Sequence, residues 1–397
     1  MELDLDKSPE SRSKEDAAPT VVGIVKEKND NRVALTPAGI SQLQKAKLKV
    51  LLESGAGAGA SYDDSSYEKQ GAEIASGDEI FKKADVITSV GKPDQETLTK
   101  LRSGQIFMGL LQPQINPDLI ETLRRQNVTA VSLDSINRRL SRAQTMDVLS
   151  SQANIAGYKA VLVAADAYGR YFPMMITAAG TAKPASVLVL GAGVAGLQAM
   201  GTAKRLGALV FGYDVRPETK TEITSVGAKF IDLGDVSGSG EGGYARALTP
   251  EELAKQQDAL NAHISRQDII ITTAQVPGKK PPLLVTQEAV KLLKPGSVIV
   301  DIAASELGGN VALSKPNETV ITENGVVIIG APNLPSAMPT SASDAFSGNL
   351  SSLLSYMSKE GVCGIDTEDE IQRDIVICHK GEIINKAIAE LLNEKRG

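Results

Sequence analysis

Residues 187–196 read Val187-Leu188-Val189-Leu190-Gly191-Ala192-Gly193-Val194-Ala195-Gly196, an apolar run that leads into a G-x-G-x-x-G turn and an alanine-rich segment. In this pattern Gly191 makes the tight turn, Gly193 lets the backbone approach a pyrophosphate, and Gly196 lets the following helix pack closely on the sheet. Free N–H groups at the start of that helix, near Val194, favour a bound phosphate. The stretch therefore predicts a strand, a phosphate-binding turn and a helix.

The next apolar run, residues 208–213, predicts a second strand with Asp214 at its carboxyl end. A carboxylate in that position hydrogen-bonds the hydroxyls of an adenosine ribose and disfavours a 2′-phosphate, which indicates NAD rather than NADP. Arg216 either softens this preference or points into solvent, and both interpretations stay open. Val215 and Ala274 complete the predicted cofactor contacts. The alternative is a glycine-rich turn that only packs a βαβ unit.

The composition is that of a globular protein, with 42% hydrophobic and 23% charged residues, 4% aromatic residues and no Trp. A chain of 397 residues can form two or three domains that each bury a core. The net charge of −6 argues against a nucleic-acid partner. Neither the two cysteines, Cys363 and Cys378, nor the two histidines, His263 and His379, have ligand spacing. We therefore predict neither a disulfide framework nor a metal site.

Strand-like and helix-like segments alternate along the chain, which is typical of parallel sheets covered by helices on both faces. We predict an α/β protein with two Rossmann-like, doubly wound parallel-sheet domains and a cleft between them. Its predicted parts are a disordered N-terminal tail (1–20), a discontinuous first α/β domain (21–140 plus 340–397), a linking helix (141–168) and an NAD(H)-binding Rossmann domain (169–339). No apolar run reaches the ~18 residues of a membrane span, so no direct span is predicted.

A long glycine-rich segment, residues 234–245, separates a predicted strand from the helix that starts near Thr249. Connections in such units usually have about 2 to 6 residues, so a segment of this length is predicted to be either functional or disordered. Tyr244 is its only large side chain.

Three further stretches resemble a known family. They are Val25–Pro37 (VKEKNDNRVALTP), Arg139–Asp147 (RLSRAQTMD) and Ser150–Tyr158 (SSQANIAGY). Together with the Tyr244 segment they closely resemble the NAD(H)-binding domain I of the alpha subunit in proton-translocating NAD(P) transhydrogenases, which are relatives of alanine dehydrogenase. The resemblance extends from about residue 20 to the C-terminus. The first stretch is shared by both families, whereas the second is characteristic of the transhydrogenases.

The resemblance implies a catalytic loop of Arg139, Gln144 and Asp147 that positions the nicotinamides for hydride transfer, with Ser150 and Tyr158 nearby. Hydride transfer needs two rings held in contact and away from water rather than a protein acid or base. An amide such as Gln144 can donate and accept at once and so bridge a ribose and a carboxamide. Arg139 and Asp147 are expected to hold each other and keep the loop rigid.

The resemblance also implies partners and a location. Asp214 would hold the adenosine ribose of NAD(H), and Tyr244 would tip a loop that closes over it. Hydride would pass to NADP(H) on a partner, domain III, and a membrane-spanning domain would couple the transfer to proton translocation. The chain would be a homodimer on the cytoplasmic or matrix face, attached peripherally to the inner membrane through its partners.

These residues also have structural interpretations. Ser141-x-x-Gln144 matches a capping box that would open the linking helix, and Asp147 would then only complement the helix dipole. Tyr158 would be a core residue of that helix, and Tyr244 an incidental aromatic side chain.

The main alternative function is an NAD-dependent amino-acid dehydrogenase of the alanine type, which needs a proton acceptor beside the substrate amine and a cation for its carboxylate. The relatives use a histidine and a lysine for this. Here the matching stretch Ile106–Pro113 has no histidine, and Lys92 stands one place away from the relatives' lysine. Arg32 would meet a substrate carboxylate in the alanine dehydrogenases, but a surface salt bridge or a structural contact explains it equally well. A non-catalytic NAD-binding module is the third interpretation.

Overall fold

The computed structural model describes residues 18–233, 249–276 and 278–394. Tyr244 and most of the predicted tail lie outside these residues. The first described residues are already attached to the fold, because Thr20 is buried and its N–H donates to the carbonyl of Gly361 at 2.8 Å.

Helices and strands alternate along most of the described chain. The helices are α1 (Pro37–Lys45), α2 (Asp64–Glu68), α3 (Gly77–Lys83), α4 (Gln95–Lys100), α5 (Pro117–Arg125), α6 (Val148–Ala167), α7 (Val194–Arg205), α8 (Thr219–Ser225), α9 (Pro250–Ile264), α10 (Gln287–Lys291), α11 (Pro339–Tyr356), α12 (Glu370–Ile375) and α13 (Lys386–Glu394). The strands are β1 (Val21–Ile24), β2 (Lys49–Glu53), β3 (Glu73–Ala75), β4 (Val86–Thr88), β5 (Ile106–Gly109), β6 (Thr129–Ser132), β7 (Met175–Thr177), β8 (Gly180–Ala182), β9 (Ser186–Leu190), β10 (Leu209–Tyr213), β11 (Lys229–Phe230), β12 (Ile269–Thr272), β13 (Val298–Asp301), β14 (Thr319–Ile321), β15 (Val327–Gly330), β16 (Ser358–Lys359), β17 (Val362–Cys363), β18 (Val376–His379) and β19 (Glu382–Ile383).

Two large sheets organise these elements. The first has the order β19-β18-β6-β5-β4-β1-β2-β3, and the second has the order β11-β10-β9-β12-β13-β15-β14. In both, the parallel strands follow the doubly wound order in which two βαβαβ halves diverge from a central pair. Among the described strands of these two sheets, only β18, β19 and β14 run antiparallel to their neighbours. The predicted α/β fold with two Rossmann-like domains is confirmed.

The central strand of the second sheet shows why the fold forms. Val187 and Val189 lie in a core shared with α6 and α7, whereas Leu188 and Leu190 lie in a core on the opposite face with α9 and α10. Both faces of β9 are therefore buried, which is the environment that a continuous apolar run requires.

The linking helix α6 begins later than predicted. Residues Ser141–Met146 form a 3-10 helix without a side-chain cap, and α6 starts at Val148. The capping residue is Asp147, whose Oδ1 accepts from the N–H of Ser150 at 2.9 Å. The predicted Ser141/Gln144 capping box is therefore wrong, because the carboxylate of Asp147 satisfies the free helix N–H instead.

Helix α6 belongs to both domains. Its first residue, Val148, lies in the core beneath the first sheet, and Ala156, Ala160, Val161 and Ala164 lie in the core of the second. At Gly157 the helix comes so close to α7 that a Cβ would collide with the carbonyl oxygen of Ala195. A glycine at this position lets the two helices pack backbone to backbone.

The β7–β8 hairpin exposes apolar side chains. The hairpin of β7 and β8 leaves Met175 38% and Ile176 74% exposed. Among the described residues, no helix combines the length and the apolar composition that crossing a membrane requires.

Replacing Gly157 tests the close helix contact. Gly157→Ala is expected to lower the free energy of unfolding by about 1–3 kcal/mol, because the added methyl group overpacks the interface. Gly348 is the matched control, since it is exposed within α11 and nothing lies within 4 Å of a Cβ built there. Gly348→Ala should raise stability by about 0.5–1 kcal/mol through helix propensity. Urea unfolding measures both, and equal effects of the two substitutions would contradict the packing argument.

Candidate dinucleotide and hydride-transfer site

The glycine turn between β9 and α7 has the geometry that its sequence predicts. Gly191 has φ +102°, and a Cβ there would lie 2.6 Å from Oγ1 of Thr273. A Cβ on Gly196 would collide with the carbonyl oxygen of Gly191. Nothing lies within 4 Å of a Cβ on Gly193, so the backbone there faces open space beside the first turn of α7, including Val194. Backbone N–H groups beside open space at a helix start form an anion site.

Asp214 lies at the carboxyl end of β10 and is tied to this turn. Its Oδ2 accepts from the N–H of Ala192 at 2.7 Å. Arg216 donates from Nε to Oδ1 and from Nη2 to Oδ2, both at 2.9 Å, and these bonds raise the pKa of the guanidinium. The interpretation in which Arg216 points into solvent is wrong, because its guanidinium is paired with Asp214, whereas a softened preference for NAD stays a prediction. Val215 packs against the core below the turn.

Ala274 follows β12 on the other side of the turn. Its N–H donates to Oδ1 of Asn310 at 3.0 Å, and its carbonyl accepts from Nδ2 of Asn310 at 2.9 Å. Asn310 is a site residue that no motif of the sequence indicated. The pair of glycines before it was the available signal, because such a segment lets a side chain approach another backbone closely.

The Arg139–Asp147 loop is fixed to the first domain. Ala143 and Met146 are buried in its core, and Asn349 of α11 donates to the carbonyl of Thr145 at 2.8 Å. The side chains of Arg139 and Gln144 are exposed. The anchored loop thus presents the guanidinium of Arg139 and the amide of Gln144 to solvent, while the exposed guanidinium of Arg142 pairs with Glu370.

Asp147 differs from the prediction. It is 8% exposed and caps α6, and among the described residues no ion pair joins it to Arg139. The expected mutual support of Arg139 and Asp147 is therefore wrong, since the helix terminus takes the carboxylate. Asp147 is placed to set the direction in which α6 leaves the loop.

Ser150 and Tyr158 lie on α6 between the loop and the glycine turn. Ser150 is half-buried in the first turn, and Tyr158 is 37% exposed, so it is not a core residue. With a rise of about 1.5 Å per residue, Asp147 and Gly157 are about 15 Å apart along the helix. Helix α6 therefore sets the distance between the loop and the glycine turn, and Asn154 of α6 donates to Gln198 of α7 at 3.1 Å.

A buried ion pair in the first domain is hydrogen-bonded to α6 and to the second domain. Arg32 is 6% exposed and binds both carboxylate oxygens of Asp30, at 2.9 and 2.6 Å. Its other bonds go to Gln152 on α6 at 2.8 Å and to Asn333, which follows β15, at 3.0 Å. The surface salt bridge is excluded and the structural contact is observed. In this arrangement all three guanidinium nitrogens have partners.

The groups that an amino-acid dehydrogenase needs do not meet in the cleft. Lys92 donates to Oδ1 of Asn116 at 2.7 Å. His379 ends the antiparallel strand β18 and contacts Oγ1 of Thr129, at the amino end of β6. His263 lies in the last turn of α9, which leads to the amino end of β12. In such folds ligands bind at the carboxyl ends of the parallel strands. Both histidines of the chain lie at the opposite, amino-terminal edges of the two sheets.

No metal site accompanies this arrangement. Within residues 18–233, 249–276 and 278–394, no group of three His, Cys, Asp or Glu side chains is placed to hold an ion. The predicted lid residue Tyr244 lies outside those ranges.

Fold and site together define a two-domain, dinucleotide-binding protein of the dehydrogenase type. Two family models match it: "Alanine dehydrogenase/PNT, N-terminal domain" over residues 23–156 and "Alanine dehydrogenase/PNT, C-terminal domain" over residues 160–386. The chain belongs to the alanine dehydrogenase/PNT family.

Relatives within the family differ in similarity. The chain is 42% identical to NAD(P) transhydrogenase subunit alpha of Cereibacter sphaeroides, over 89% of this chain and 68% of the relative. It is 40% identical to NAD(P) transhydrogenase subunit alpha of Haemophilus influenzae, over 92% of this chain and 72% of the relative. Alanine dehydrogenase 1 of Staphylococcus aureus is 29% identical, over 93% of this chain and 96% of the relative. The crystal structure of a transhydrogenase from Sinorhizobium meliloti superposes with a TM-score of 0.83 at 39% identity, covering 92% of this chain and all of that one.

The pH dependence of stability tests the buried ion pair. Burial alone would raise the pKa of Asp30, but Arg32 and Asn333 more than offset this and lower it to about 2. A depressed folded-state pKa stabilises the protein above the unfolded pKa, near 3.8, and this contribution is lost as the pH falls towards 2. Asp30→Asn should therefore cost about 2 kcal/mol at neutral pH, and the cost should shrink between pH 5 and pH 2.

The control is Asp94→Asn. Lys28, at 2.6 Å, and the N–H of Thr97 lower the pKa of Asp94 to about 2 as well, but the side chains of Asp94 and Lys28 are about half exposed, so solvent screens the pair and its contribution to stability is small. Denaturant unfolding as a function of pH measures both variants. A loss that is equal for Asp30→Asn and Asp94→Asn would contradict the role of the buried pair.

Proposed function

We propose that the chain is the NAD(H)-binding component of a proton-translocating NAD(P) transhydrogenase. The observations that support this proposal are an open glycine turn bonded to Asp214 in the second domain and the exposed Arg139 and Gln144 on a loop anchored to the first domain. The cleft has a dinucleotide site but lacks the histidine and the matching lysine of a deaminase. Greater identity to transhydrogenase alpha subunits than to alanine dehydrogenase supports the same choice.

The described residues have distinct roles in this function. The turn Gly191–Gly196 and the helix start at Val194 bind the pyrophosphate, and Asp214 with Val215 and Arg216 binds the adenosine end. Gln144 and Arg139 orient the nicotinamide end. Asp147 acts indirectly on the nicotinamide end, because it caps the start of α6 and so fixes the position of Ser150 and Tyr158. Ala274 supports the cofactor from the opposite loop.

In such a site the protein accelerates the reaction by orienting the two nicotinamide rings. The hydride leaves NADH, which becomes NAD⁺, and reduces NADP⁺ held by the partner. The protein supplies neither an acid nor a base for this step, so its contribution is to hold the two rings in contact and exclude water. The rigid attachment of the Arg139–Asp147 loop to the first domain suits that task.

The partners follow from the same proposal. NADP(H) is bound by domain III, and a membrane-spanning domain couples hydride transfer to proton translocation, which makes the assembly a translocase attached to the inner membrane through those partners. The chain acts as a homodimer. The hairpin of β7 and β8, with its exposed Met175 and Ile176, is the surface that a second copy would cover.

Hydride exchange between the two nucleotides tests the function. The chain is mixed with an NADP(H)-binding domain III, and exchange between NADH and an NADP⁺ analogue is followed. Gln144→Asn should lower the rate by about 10- to 100-fold, because one methylene is enough to misplace the ring. The dissociation constant for NADH should stay within about twofold, since the phosphate site is unchanged. The control is Gln95→Asn on the exposed start of α4, which should exchange at the unmodified rate.

The same assay separates the alternatives. Exchange by the unmodified chain excludes a non-catalytic NAD-binding module, and its absence would remove the proposal. With NADH, pyruvate and ammonia we expect no turnover, because both histidines lie at the opposite sheet edges. Formation of alanine would instead identify an amino-acid dehydrogenase.

A further inference from the structure

Asn310 is a fully buried amide whose polar atoms are all directed at one loop. It is 0% exposed, follows Gly309, and lies between β13 and β14. Its side chain accepts from the N–H of Ala274 at 3.0 Å and donates to the carbonyl of Ala274 at 2.9 Å and of Pro282 at 2.7 Å. Both ends of the loop 273–282, of which the structure describes residues 273–276 and 278–282, are therefore held by one side chain.

This loop begins on the glycine turn. Oγ1 of Thr273 donates to the carbonyl of Gly191 at 3.2 Å, and it is the atom nearest to a Cβ built on Gly191. A displacement of Thr273 would therefore move the turn at which the pyrophosphate is proposed to bind.

The tip of the loop reaches the first domain. Gly278 has φ +72°, and a Cβ built there would lie 2.5 Å from Cβ of Gln114. Gln114 lies between β5 and α5, at the carboxyl edge of the first sheet. A single loop thus contacts the glycine turn at one end and the opposite wall of the cleft at its tip.

The loop depends on Asn310 because it has little regular pairing of its own. No strand of the described residues pairs with Ala274, so the amide of Asn310 takes the place of a strand neighbour for its N–H and carbonyl. A buried backbone group that loses such a partner is costly, which favours opening of the loop when the amide is changed.

We propose that Asn310 is a positioning residue for hydride transfer. It holds the loop 273–282 as a brace between the glycine turn and the first domain. The brace fixes the separation between the bound nucleotide and the Arg139–Asp147 loop. This inference rests on the proposed function in placing NAD(H) at the glycine turn.

Limited trypsin digestion measures the brace without any nucleotide. Lys279 and Lys280 are exposed at the tip of the loop, and the Lys279–Lys280 bond is a trypsin site, whereas the bond before Pro281 resists the enzyme. Asn310→Asp keeps the acceptor for Ala274 but turns an oxygen towards two carbonyl oxygens. Cleavage at Lys279 should then become about tenfold faster, because cleavage follows the open population of the loop.

Asn324→Asp is the matched control in the same domain. The amide of Asn324 donates to the carbonyls of Val290 and Leu293, at 3.1 and 3.3 Å, away from the cleft. This variant suffers the same chemical change and should lose similar global stability, but cleavage at Lys279 should stay at the unmodified rate. Equal cleavage of Asn310→Asp and Asn324→Asp would overturn the proposal.

A second variant separates positioning from binding. Gly278→Ala strains the tip and pushes it from Gln114 while the bonds of Asn310 remain, so NADH affinity should be retained and hydride exchange should fall about tenfold. Asn310→Asp should weaken both NADH binding and exchange. Exchange by Gly278→Ala at the unmodified rate would contradict the brace. If the unmodified chain binds NADH but shows no exchange, the proposed function fails, while the trypsin comparison still decides the role of Asn310.

Discussion

Gly157 brings the backbone of α6 against the first turn of α7, and the geometry of the cleft depends on this contact. Without a side chain at this position, the two helices approach more closely than any other residue would allow. The start of α7 is the proposed phosphate site, and α6 begins at the end of the Arg139–Asp147 loop. Because α6 is a continuous helix, the contact at Gly157 sets the distance along the helix between this contact and Asp147 at about 15 Å.

Two further contacts join the domains beside this helix. The buried pair of Arg32 and Asp30 binds Gln152 on α6 and Asn333 of the second domain, and the loop around Gly278 meets Gln114 on the other wall. The contacts of Arg32 favour one arrangement, because a buried charge without its partner is costly. The backbone at Gly278 lies so close to Gln114 that there is no room for a side chain. Orientation catalysis requires that kind of rigidity, since small displacements of a reacting ring reduce the rate strongly.

The same two-domain scaffold is shared with alanine dehydrogenase, so the fold alone does not choose the reaction. The choice follows from which groups reach the cleft. Both histidines stand at the amino ends of their sheets, and Lys92 is bonded to Asn116. Arg32 is fully engaged by its own chain. What remains is an open glycine turn at the start of α7, the carboxylate of Asp214 beside it and the exposed side chains of Arg139 and Gln144, which suits the proposed transfer between two nucleotides.

The local pattern of the chain was sufficient to predict the glycine turn, the strand before it, Asp214 at the end of β10 and the doubly wound class, because each depends on neighbours within a few residues. The start of α6 was predicted wrongly, because Ser141–Met146 forms a 3-10 helix and the carboxylate of Asp147 caps the α-helix that follows. Burial of Arg32 and the clamp of Asn310 on Ala274 were beyond sequence reasoning. Their partners lie 120 and 36 residues away, and only the folded chain brings them within hydrogen-bonding distance.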